Sequence, residues 1–335
     1  MPQVAMPRLS TVASSCCELR TLTMNLTVIL CTFNRHQLLE KALESVAASK
    51  VPDLVKWEVL VVDNNSTDQT RDVIQHLSRR YQGRFRYLFE PRQGKSFALN
   101  RAIREARGDV LAFMDDDVTV EPEWLRNLTA ALDCEQWAGA GGRIVLQWPA
   151  ALPSWLSING PYARHPFPGF DQGDEAKELI GPPFGTNMAF RKEVFERHGG
   201  FRTDLGPVPG SEIRAEDTEF GRRVIAAGER LRYEPSAVVY HPVPENRIDK
   251  RFFLKWRFDY GRGDAREFST RPLRLILSLV AWTLRWVVAT EPHVRFFRKL
   301  VVWEKVGSVV ESCHSSFVKK KRVNRAGKKK RACHV

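Results

Sequence analysis

Residues 108–118 read GDVLAFMDDDV, a run of five apolar residues followed by three consecutive aspartates. An apolar run of this length predicts a buried strand, and the three carboxylates lie where that strand ends. Three further apolar strands are predicted upstream, at residues 26–31, 57–62 and 84–89, and each is followed by a polar loop and an amphipathic helix. Almost wholly apolar strands that alternate with helices indicate an α/β fold with a mostly parallel central sheet flanked by helices.

The three aspartates, Asp115, Asp116 and Asp117, admit two interpretations. Charge runs are usually solvated, so the triplet by itself would be an acidic turn in water. At the end of a buried strand, however, clustered carboxylates repel one another unless a cation lies among them. Mg²⁺ and Mn²⁺ are hard cations that prefer oxygen ligands, and a cation bound there would attract a diphosphate. Ligands of parallel sheets also bind at the carboxyl ends of the strands.

Six segments, in this order, resemble the motifs of glycosyltransferase family 2, an inverting family with the GT-A fold and a DxD motif. The segments are VILCTFNR at 28–35, VVDNNSTDQT at 61–70, QGKSFALNRAI at 93–103, the aspartate strand at 108–118, GTNMAFRKEVFERHGGF at 185–201 and AEDTEFGRR at 215–223. The resemblance covers residues 26 to about 263. It implies metal-assisted transfer of a sugar, with inversion, from a nucleotide-diphosphate-sugar to a hydroxyl of a glycan or lipid-linked acceptor.

For the donor, the resemblance implies that Asp63 binds the base, most often uracil, together with Thr32 and Asn34. Lys95 would bind the diphosphate as a point charge. Asp63 could instead form an Asx turn, and Lys95 could be an ordinary surface lysine. The remaining residues of the implied substrate-binding set are Arg35, Asn65, Asn100, Asn187, Asp115, Asp116 and Glu216.

The resemblance also implies a metal site that holds Mg²⁺ or Mn²⁺. Asp115 and Asp117 are expected to flank the ribose and the metal and to be metal ligands, with Asp117 the more direct of the two, and Asp116 is expected to contact the sugar. His241, at the end of a predicted strand, would be a further ligand. An ordinary buried or surface histidine fits that position equally well.

An inverting displacement needs a base that removes the proton of the attacking hydroxyl. Asp217 matches the second position of the family's Glu-Asp motif, so the resemblance implies that Asp217 is the catalytic base. Glu216 would orient a neighbour or bind the acceptor. The alternative is that Glu216, Asp217 and Glu219 are acids in the first turn of a helix, where they interact favourably with its dipole.

Net charge and cysteine content bound the remaining possibilities. The chain of 335 residues carries a formal charge of +13, but nine of its basic residues lie between 319 and 331. Its six cysteines show no metal-binding or disulfide spacing, so a reducing cytoplasm is expected. The expected organisation is a disordered leader at 1–24, a GT-A catalytic domain at 25–248 with halves at 25–120 and 121–248, a helical extension at 249–312 and a basic tail at 313–335.

The helical extension raises the question of a membrane. Residues 275–284 are uncharged, but ten residues are too few to span a bilayer, which takes about 20. On a helical wheel one stripe contains Arg271, Arg274, Ser278 and Arg285, and the rest is mainly apolar: Leu275, Ile276, Leu279, Val280, Trp282, Trp286 and Val287. This pattern suits a helix lying on a membrane surface, and it equally suits a helix docked on the catalytic domain with an exposed arginine edge.

The basic tail would add attraction to an anionic leaflet, although a solubilising end or a contact with nucleic acid fits it equally. No motif for specific nucleic-acid recognition is present. We therefore expect a cytoplasmic protein, peripheral on the inner face of the plasma membrane. Processive synthases of the family carry a QxxRW motif and several membrane spans, and neither is visible, so single transfer is expected.

Two alternatives to a glycosyltransferase remain at this point. A nucleotidyltransferase has a similar architecture, but it would carry a Gly-rich basic loop directly after the first strand, where this chain has CTFNRH. The third hypothesis is a non-catalytic protein that binds sugar nucleotides at a membrane surface. The presence of both the aspartate triplet and the Glu-Asp pair argues against this non-catalytic hypothesis.

Overall fold

The computed structural model describes residues 24–211, 213–268 and 272–332. The leader predicted at 1–24 lies outside these ranges except for Met24, with which the first strand begins. Within them, the strands are β1 (Met24–Thr32), β2 (Val55–Asp63), β3 (Phe85–Phe89), β4 (Val110–Asp115), β5 (Thr119–Val120), β6 (Gly139–Gln147), β7 (Lys177–Glu178), β8 (Met188–Arg191) and β9 (Leu231–Pro242). The helices are α1 (His36–Ala47), α2 (Thr70–Arg80), α3 (Lys95–Glu105), α4 (Trp124–Ala131), α5 (Lys192–His198), α6 (Glu216–Ala226), α7 (Lys250–Glu267), α8 (Pro272–Val287) and α9 (Pro292–Ala332), with a 3₁₀ turn at Glu245–Arg247.

The strands form one mixed sheet in the order β3-β2-β1-β4-β8-β6-β9-β5, with β7 paired to β9. The predicted parallel arrangement holds for β3, β2, β1 and β4 and for the pair β6 and β9. The antiparallel pairings involve β8, β5 and β7 and are short, since each covers two to four residues. The sheet is therefore parallel along most of its length, and it becomes mixed at β8, which pairs antiparallel with β4 and β6.

Helices cover both faces of the sheet, as the apolar strands require. Val28 and Leu30 of β1 pack in a core with α1, α2 and α4, whereas Ile29 points to the opposite core, which includes α3, α5 and α6. Successive side chains of a strand point to opposite faces, so a strand buried on both sides must be apolar at every position. This explains the unbroken apolar runs on which the fold prediction rests.

Strand β6 was not predicted, because it begins Gly-Ala-Gly-Gly and glycine disfavours strands. The structure shows why glycines lie there. A Cβ on Gly139 would overlap the ring of Phe190, and one on Gly142 would overlap the Ala237 carbonyl and the Asn187 side chain. The glycines thus allow a close approach of backbones and side chains in the centre of the sheet.

The C-terminal helices pack closely on one another. A Cβ on Gly261 of α7 would overlap the backbone carbonyl of Glu304 in α9, and one on Gly307 would overlap that of Phe258. Arg257 and Glu304 form a buried ion pair between the same helices. Helix α9 also continues through residues 313–332, which were predicted as part of the basic tail.

Within the described ranges, none of the helices is long and apolar enough to cross a bilayer.

Candidate active site

The carboxyl ends of β1, β2 and β4 meet at one edge of the sheet, where a cleft of about 530 Å³ opens. The parallel register places Thr32 beside Asp63 and Cys31 beside Asp115. The cleft therefore lies where the topology of parallel sheets predicts it. Nine of the predicted site residues line it: Thr32, Arg35, Lys95, Asp115, Asp116, Asp117, Glu216, Asp217 and His241.

Asp115 is held on both carboxylate oxygens. Its Oδ1 lies 2.5 Å from Lys95 Nζ, and its Oδ2 accepts a hydrogen bond of 2.6 Å from Thr186 Oγ1. Burial alone would raise the pKa of Asp115, but the charge and hydrogen bond of Lys95, with that of Thr186, hold it well below its usual range. Lys95 Nζ also lies 3.6 Å from Glu216 Oε1. Lys95 is thus part of a buried charge cluster rather than a surface lysine.

The turn at residues 185–187 connects this cluster to the predicted base. The backbone N–H of Gly185 donates to Asp217 Oδ2 at 2.7 Å, and Thr186 is the donor to Asp115. Asn187 is fully buried, donates to two backbone carbonyls and accepts from Trp124 Nε1 at 2.9 Å. Its amide is fully used, so the substrate-binding role expected of Asn187 is not supported; the residue anchors the turn instead.

The Glu-Asp pair begins helix α6 behind a strained residue. Ala215 has φ +96°, an uncommon value for a residue with a Cβ, and it directs the chain into α6. Asp217 accepts from the backbone N–H groups of Gly185 and Thr218, each at 2.7 Å. The contact with Gly185 lies outside the helix, so Asp217 does more than complement the helix dipole. Burial raises the pKa of Glu216 to about 7, against the attraction of Lys95.

Arg35 neutralises the other two aspartates. Its Nη1 lies 2.9 Å from Asp116 Oδ1 and 3.1 Å from Asp117 Oδ2. Burial raises the pKa of Asp116 to about 6, although the charge of Arg35 opposes the shift. Arg35 lines the cleft as predicted, and its present partners are acidic side chains that an incoming anion would have to compete with.

The metal ligands expected from the sequence are only partly brought together. His241 Nε2 lies 3.7 Å from Asp117 Oδ1, and His241 Nδ1 lies 3.0 Å from the Pro242 carbonyl. A carbonyl only accepts, so Nδ1 carries a hydrogen, and Nε2 is the ring nitrogen that faces Asp117. In the part of the chain that the structure describes, no cluster of three or more His, Cys, Asp or Glu side chains could hold a metal. Asp115 is directed to Lys95, which leaves Asp117 and His241 as a two-ligand half-site.

Asp63 lies beneath the cleft rather than in its wall. Its Oδ1 accepts from the Ser66 backbone N–H at 2.8 Å, and its Oδ2 accepts from the Tyr87 hydroxyl at 3.0 Å. The side chain is 3% exposed. The structure thus shows Asp63 in structural hydrogen bonds, although its backbone partner lies three residues on and not two as in the Asx turn, and contact with a base would require this loop to rearrange.

Three predicted asparagines also lie outside the cleft lining. Asn34 Oδ1 accepts from the Thr67 backbone N–H at 2.7 Å and so joins two loops. Asn65 is exposed with φ +68°. Asn100 accepts from the Phe201 N–H at 2.8 Å and donates to its carbonyl at 2.7 Å, so both ends of its amide are used. These contacts give Asn34 and Asn100 structural roles.

Several residues of the cleft were not predicted. Arg247 lies 4.0 Å from Asp117 and adds a cation beside the half-site. Trp256 and Tyr260 come from α7, so the helical extension forms one wall of the cleft. Their spacing of four residues places them on one helix face, a signal that was available in the sequence. Thr186, inside the recognised Gly-Thr-Asn segment, and Gln93 also line the cleft.

The architecture is that of the GT-A glycosyltransferases. The mannosyltransferase PcManGT from Pyrobaculum calidifontis, solved in complex with GDP-Man and Mn²⁺, matches with a TM-score of 0.51 at 19% identity. The match covers 88% of this chain and 75% of that chain. At this level of identity the likeness establishes the fold.

The family follows from sequence comparison. The model of glycosyl transferase family 2 matches residues 27–199. Succinoglycan biosynthesis protein ExoM of Rhizobium meliloti is 29% identical over 245 residues, which cover 73% of this chain and 75% of the relative. A glucosyl-dolichyl phosphate glucuronosyltransferase of Haloferax volcanii is 27% identical over 241 residues, covering 68% and 72%. The chain therefore belongs to glycosyl transferase family 2 and is a glycosyltransferase, as the motifs predicted; the nucleotidyltransferase alternative is not favoured.

Asn64, in the segment VVDNNSTDQT at 61–70, has a structural role. Its Nδ2 donates to the backbone carbonyls of Glu90 at 3.1 Å and Arg92 at 2.7 Å, and its Oδ1 accepts from the Gly94 N–H at 2.8 Å. A carboxylate has no hydrogen to donate to a carbonyl. The amide is therefore what fixes the loop that leads to Lys95.

We predict that Asn64→Asp lowers the free energy of unfolding by about 3 kcal/mol, because it places a buried carboxylate against two carbonyl oxygens. Asn65→Asp is the matched control. It is exposed, and its positive φ is tolerated by aspartate, so a change below about 0.5 kcal/mol is expected. Urea denaturation at neutral pH measures both variants, and equal stabilities would contradict the role given to Asn64.

Proposed function

We propose that this glycosyltransferase moves a sugar from a nucleotide-diphosphate-sugar to a hydroxyl of a glycan or lipid-linked acceptor, with inversion and one transfer per encounter. The observation that carries the proposal is a single cleft in which the aspartate triplet and Asp217 are joined through the turn at residues 185–187. The sequence resemblance favours uridine as the base. The cytoplasmic face of a membrane is the proposed place of action.

Support for a diphosphate donor comes from the charges of the cleft. Four cationic side chains, Arg35, Lys95, Arg214 and Arg247, line it together with the acidic residues. Cations of this kind can exchange a carboxylate partner for phosphate oxygens, since both are anionic oxygen acceptors. The relative in Haloferax, whose name includes a dolichyl phosphate, supports the lipid-linked class of acceptor.

The donor set at Asp117 and His241 fits one divalent cation, with the remaining ligands coming from the diphosphate and water. When bound, the cation would neutralise charge on the departing diphosphate. An imidazole nitrogen suits transition metals better than Mg²⁺, which prefers oxygen. We therefore favour Mn²⁺, the ion present in the Pyrobaculum mannosyltransferase structure.

Asp217 is the proposed base for the acceptor hydroxyl. Each of its oxygens accepts one backbone N–H, which orients the carboxylate and leaves lone pairs to accept the proton. Glu216 is 3% exposed and faces Lys95, so we assign it to holding that cation. The aromatic side chains Trp256 and Tyr260 offer flat apolar surfaces against which a sugar acceptor can pack.

We predict that Asp217→Asn slows the single-turnover rate by about 10² to 10⁴ while leaving donor affinity nearly unchanged. The amide keeps the shape of the side chain but cannot accept the proton. Glu219→Gln is the control, because Glu219 is also an acid of the first turn of α6 and should matter equally if only the helix dipole were involved. A folded Asp217→Asn enzyme with a near-normal rate would place the base elsewhere, with Glu216 as the next candidate.

We predict that EDTA abolishes transfer and that Mn²⁺ restores it more effectively than Mg²⁺. His241→Gln should raise the half-saturating Mn²⁺ concentration by at least about tenfold, since the proposed nitrogen ligand is lost. His165→Gln is the control, because His165 also lines the cleft but its Nδ1 bonds the Phe167 carbonyl and it has no assigned ligand role. Full activity in EDTA, or equal metal dependence of the two variants, would refute this assignment.

A further inference from the structure

Helix α8 packs on α9 through one of its faces. Leu275 is buried, and the ring of Trp282 lies 6.3 Å from that of Phe297 in α9. Lys299 of α9 lies over Trp286 at 5.6 Å. This face of α8 is therefore docked on the protein, which is one of the two alternatives that the sequence left open. Arg274 and Arg285 are exposed, as that alternative expects.

The opposite face of α8 is apolar and exposed. At 100° per residue its members fall within about 60° of one line along the helix, which is about 24 Å long. Their exposed fractions range from 49% to 73%. They are Leu273, Ile276, Leu277, Val280, Leu284 and Val287, with Val288 directly after the helix. Scattered apolar residues on a surface are ordinary, but a continuous stripe of this length indicates an interaction surface.

One flank of this stripe is basic. From residue 272 to residue 303 the sequence contains one acid, Glu291, and five basic residues: Arg274, Arg285, Arg295, Arg298 and Lys299. Arg274 and Arg285 lie about 100° to 120° from the centre of the stripe, along one of its flanks. An apolar face bordered by cations is complementary to a surface that is apolar inside and anionic at its rim, which describes a bilayer with acidic headgroups.

We propose that the apolar face of α8, from Leu273 to Val288, docks α8 in the plane of an anionic membrane surface. Its residues would insert into the headgroup boundary, and Arg274 and Arg285 would contact lipid phosphates. A protein partner or a second copy of this chain would need an apolar surface with negative charge along one side to match this face. An acidic bilayer has both properties and is therefore the better occupant. The proposal goes beyond the transfer reaction and does not depend on it.

The placement of α8 relates this surface to the cleft. Helix α8 follows α7, which supplies Trp256 and Tyr260 to the cleft wall. Trp155, from the segment before the cleft residues at 165–169, packs on Phe253 of α7 at 5.4 Å and on Phe296 of α9 at 4.6 Å. Docking through α8 would therefore hold a wall of the cleft to the membrane through rigid contacts.

The test is sedimentation of the full chain with vesicles of phosphatidylcholine and phosphatidylglycerol in equal parts, and with phosphatidylcholine alone. The double variant Leu277→Gln, Leu284→Gln should lower the partition coefficient on the anionic vesicles by at least about tenfold, because two apolar side chains no longer transfer from water. Ile180→Gln is the control, since Ile180 is a fully exposed apolar residue of the catalytic domain. Circular dichroism and thermal unfolding establish that each variant is folded.

A second pair of substitutions separates the apolar and electrostatic contributions. Arg274→Gln with Arg285→Gln should weaken binding at low salt, and the difference from wild type should disappear near about 1 M salt, where charges are screened. The Leu277, Leu284 double variant should remain weaker at both salt concentrations. Turnover on a soluble acceptor should be unchanged in all variants, so failure of docking and failure of the proposed reaction can be told apart.

Three results would overturn the proposal. One is wild-type binding by the double leucine variant, which would assign membrane affinity to another part of the chain. Another is equal binding of wild type to neutral and anionic vesicles. The third is a wild-type dimer in light scattering that the leucine substitutions convert to a monomer, without vesicle binding by either, which would assign the face to a second copy.

Discussion

The half-buried carboxylate of Asp115, with 21% of its side chain exposed, is the interaction on which the site depends. It accepts from Lys95, which begins the helix after the third strand, and from Thr186, which lies in the turn before β8. An ionised carboxylate away from water is tolerated only if it is paired and hydrogen-bonded. These two contacts connect the start of α3 to the turn before β8. The same turn also fixes Asp217, so the position of the proposed base depends on Asp115.

The helical extension, which follows the other site residues in the chain, contributes side chains to the site. Its first helix supplies Trp256 and Tyr260, and close glycine contacts at Gly261 and Gly307 hold that helix against α9. A glycine at a helix crossing has no side chain to separate the backbones, so the packing is close and its geometry is well determined. This wall of the cleft is therefore a rigid element, and its position relative to the aspartates follows from helix packing.

The sequence predicts the parts of this structure that depend on periodicity and strand direction. The apolar strands and the position of the cleft at their carboxyl ends follow from local patterns, whereas the expectation that Lys95 belongs to the site came from the resemblance to the family. The sequence does not show which polar side-chain atoms form hydrogen bonds with residues far away in the chain. Asn187 bonds Trp124, 63 residues away in the chain, and Asp63 bonds Tyr87, so neither amide nor carboxylate is free in the cleft. Such pairings depend on tertiary register, which no local pattern encodes.

The most direct measurement of the central claim is a double-mutant cycle between Asp115→Ala and Thr186→Val, read as the free energy of unfolding. If Asp115 is held through Thr186, the cycle should give a coupling of about 1 to 3 kcal/mol, because each substitution removes the same hydrogen bond to a half-buried charge. Effects that add within about 0.5 kcal/mol would show that the two residues act independently and would contradict the account.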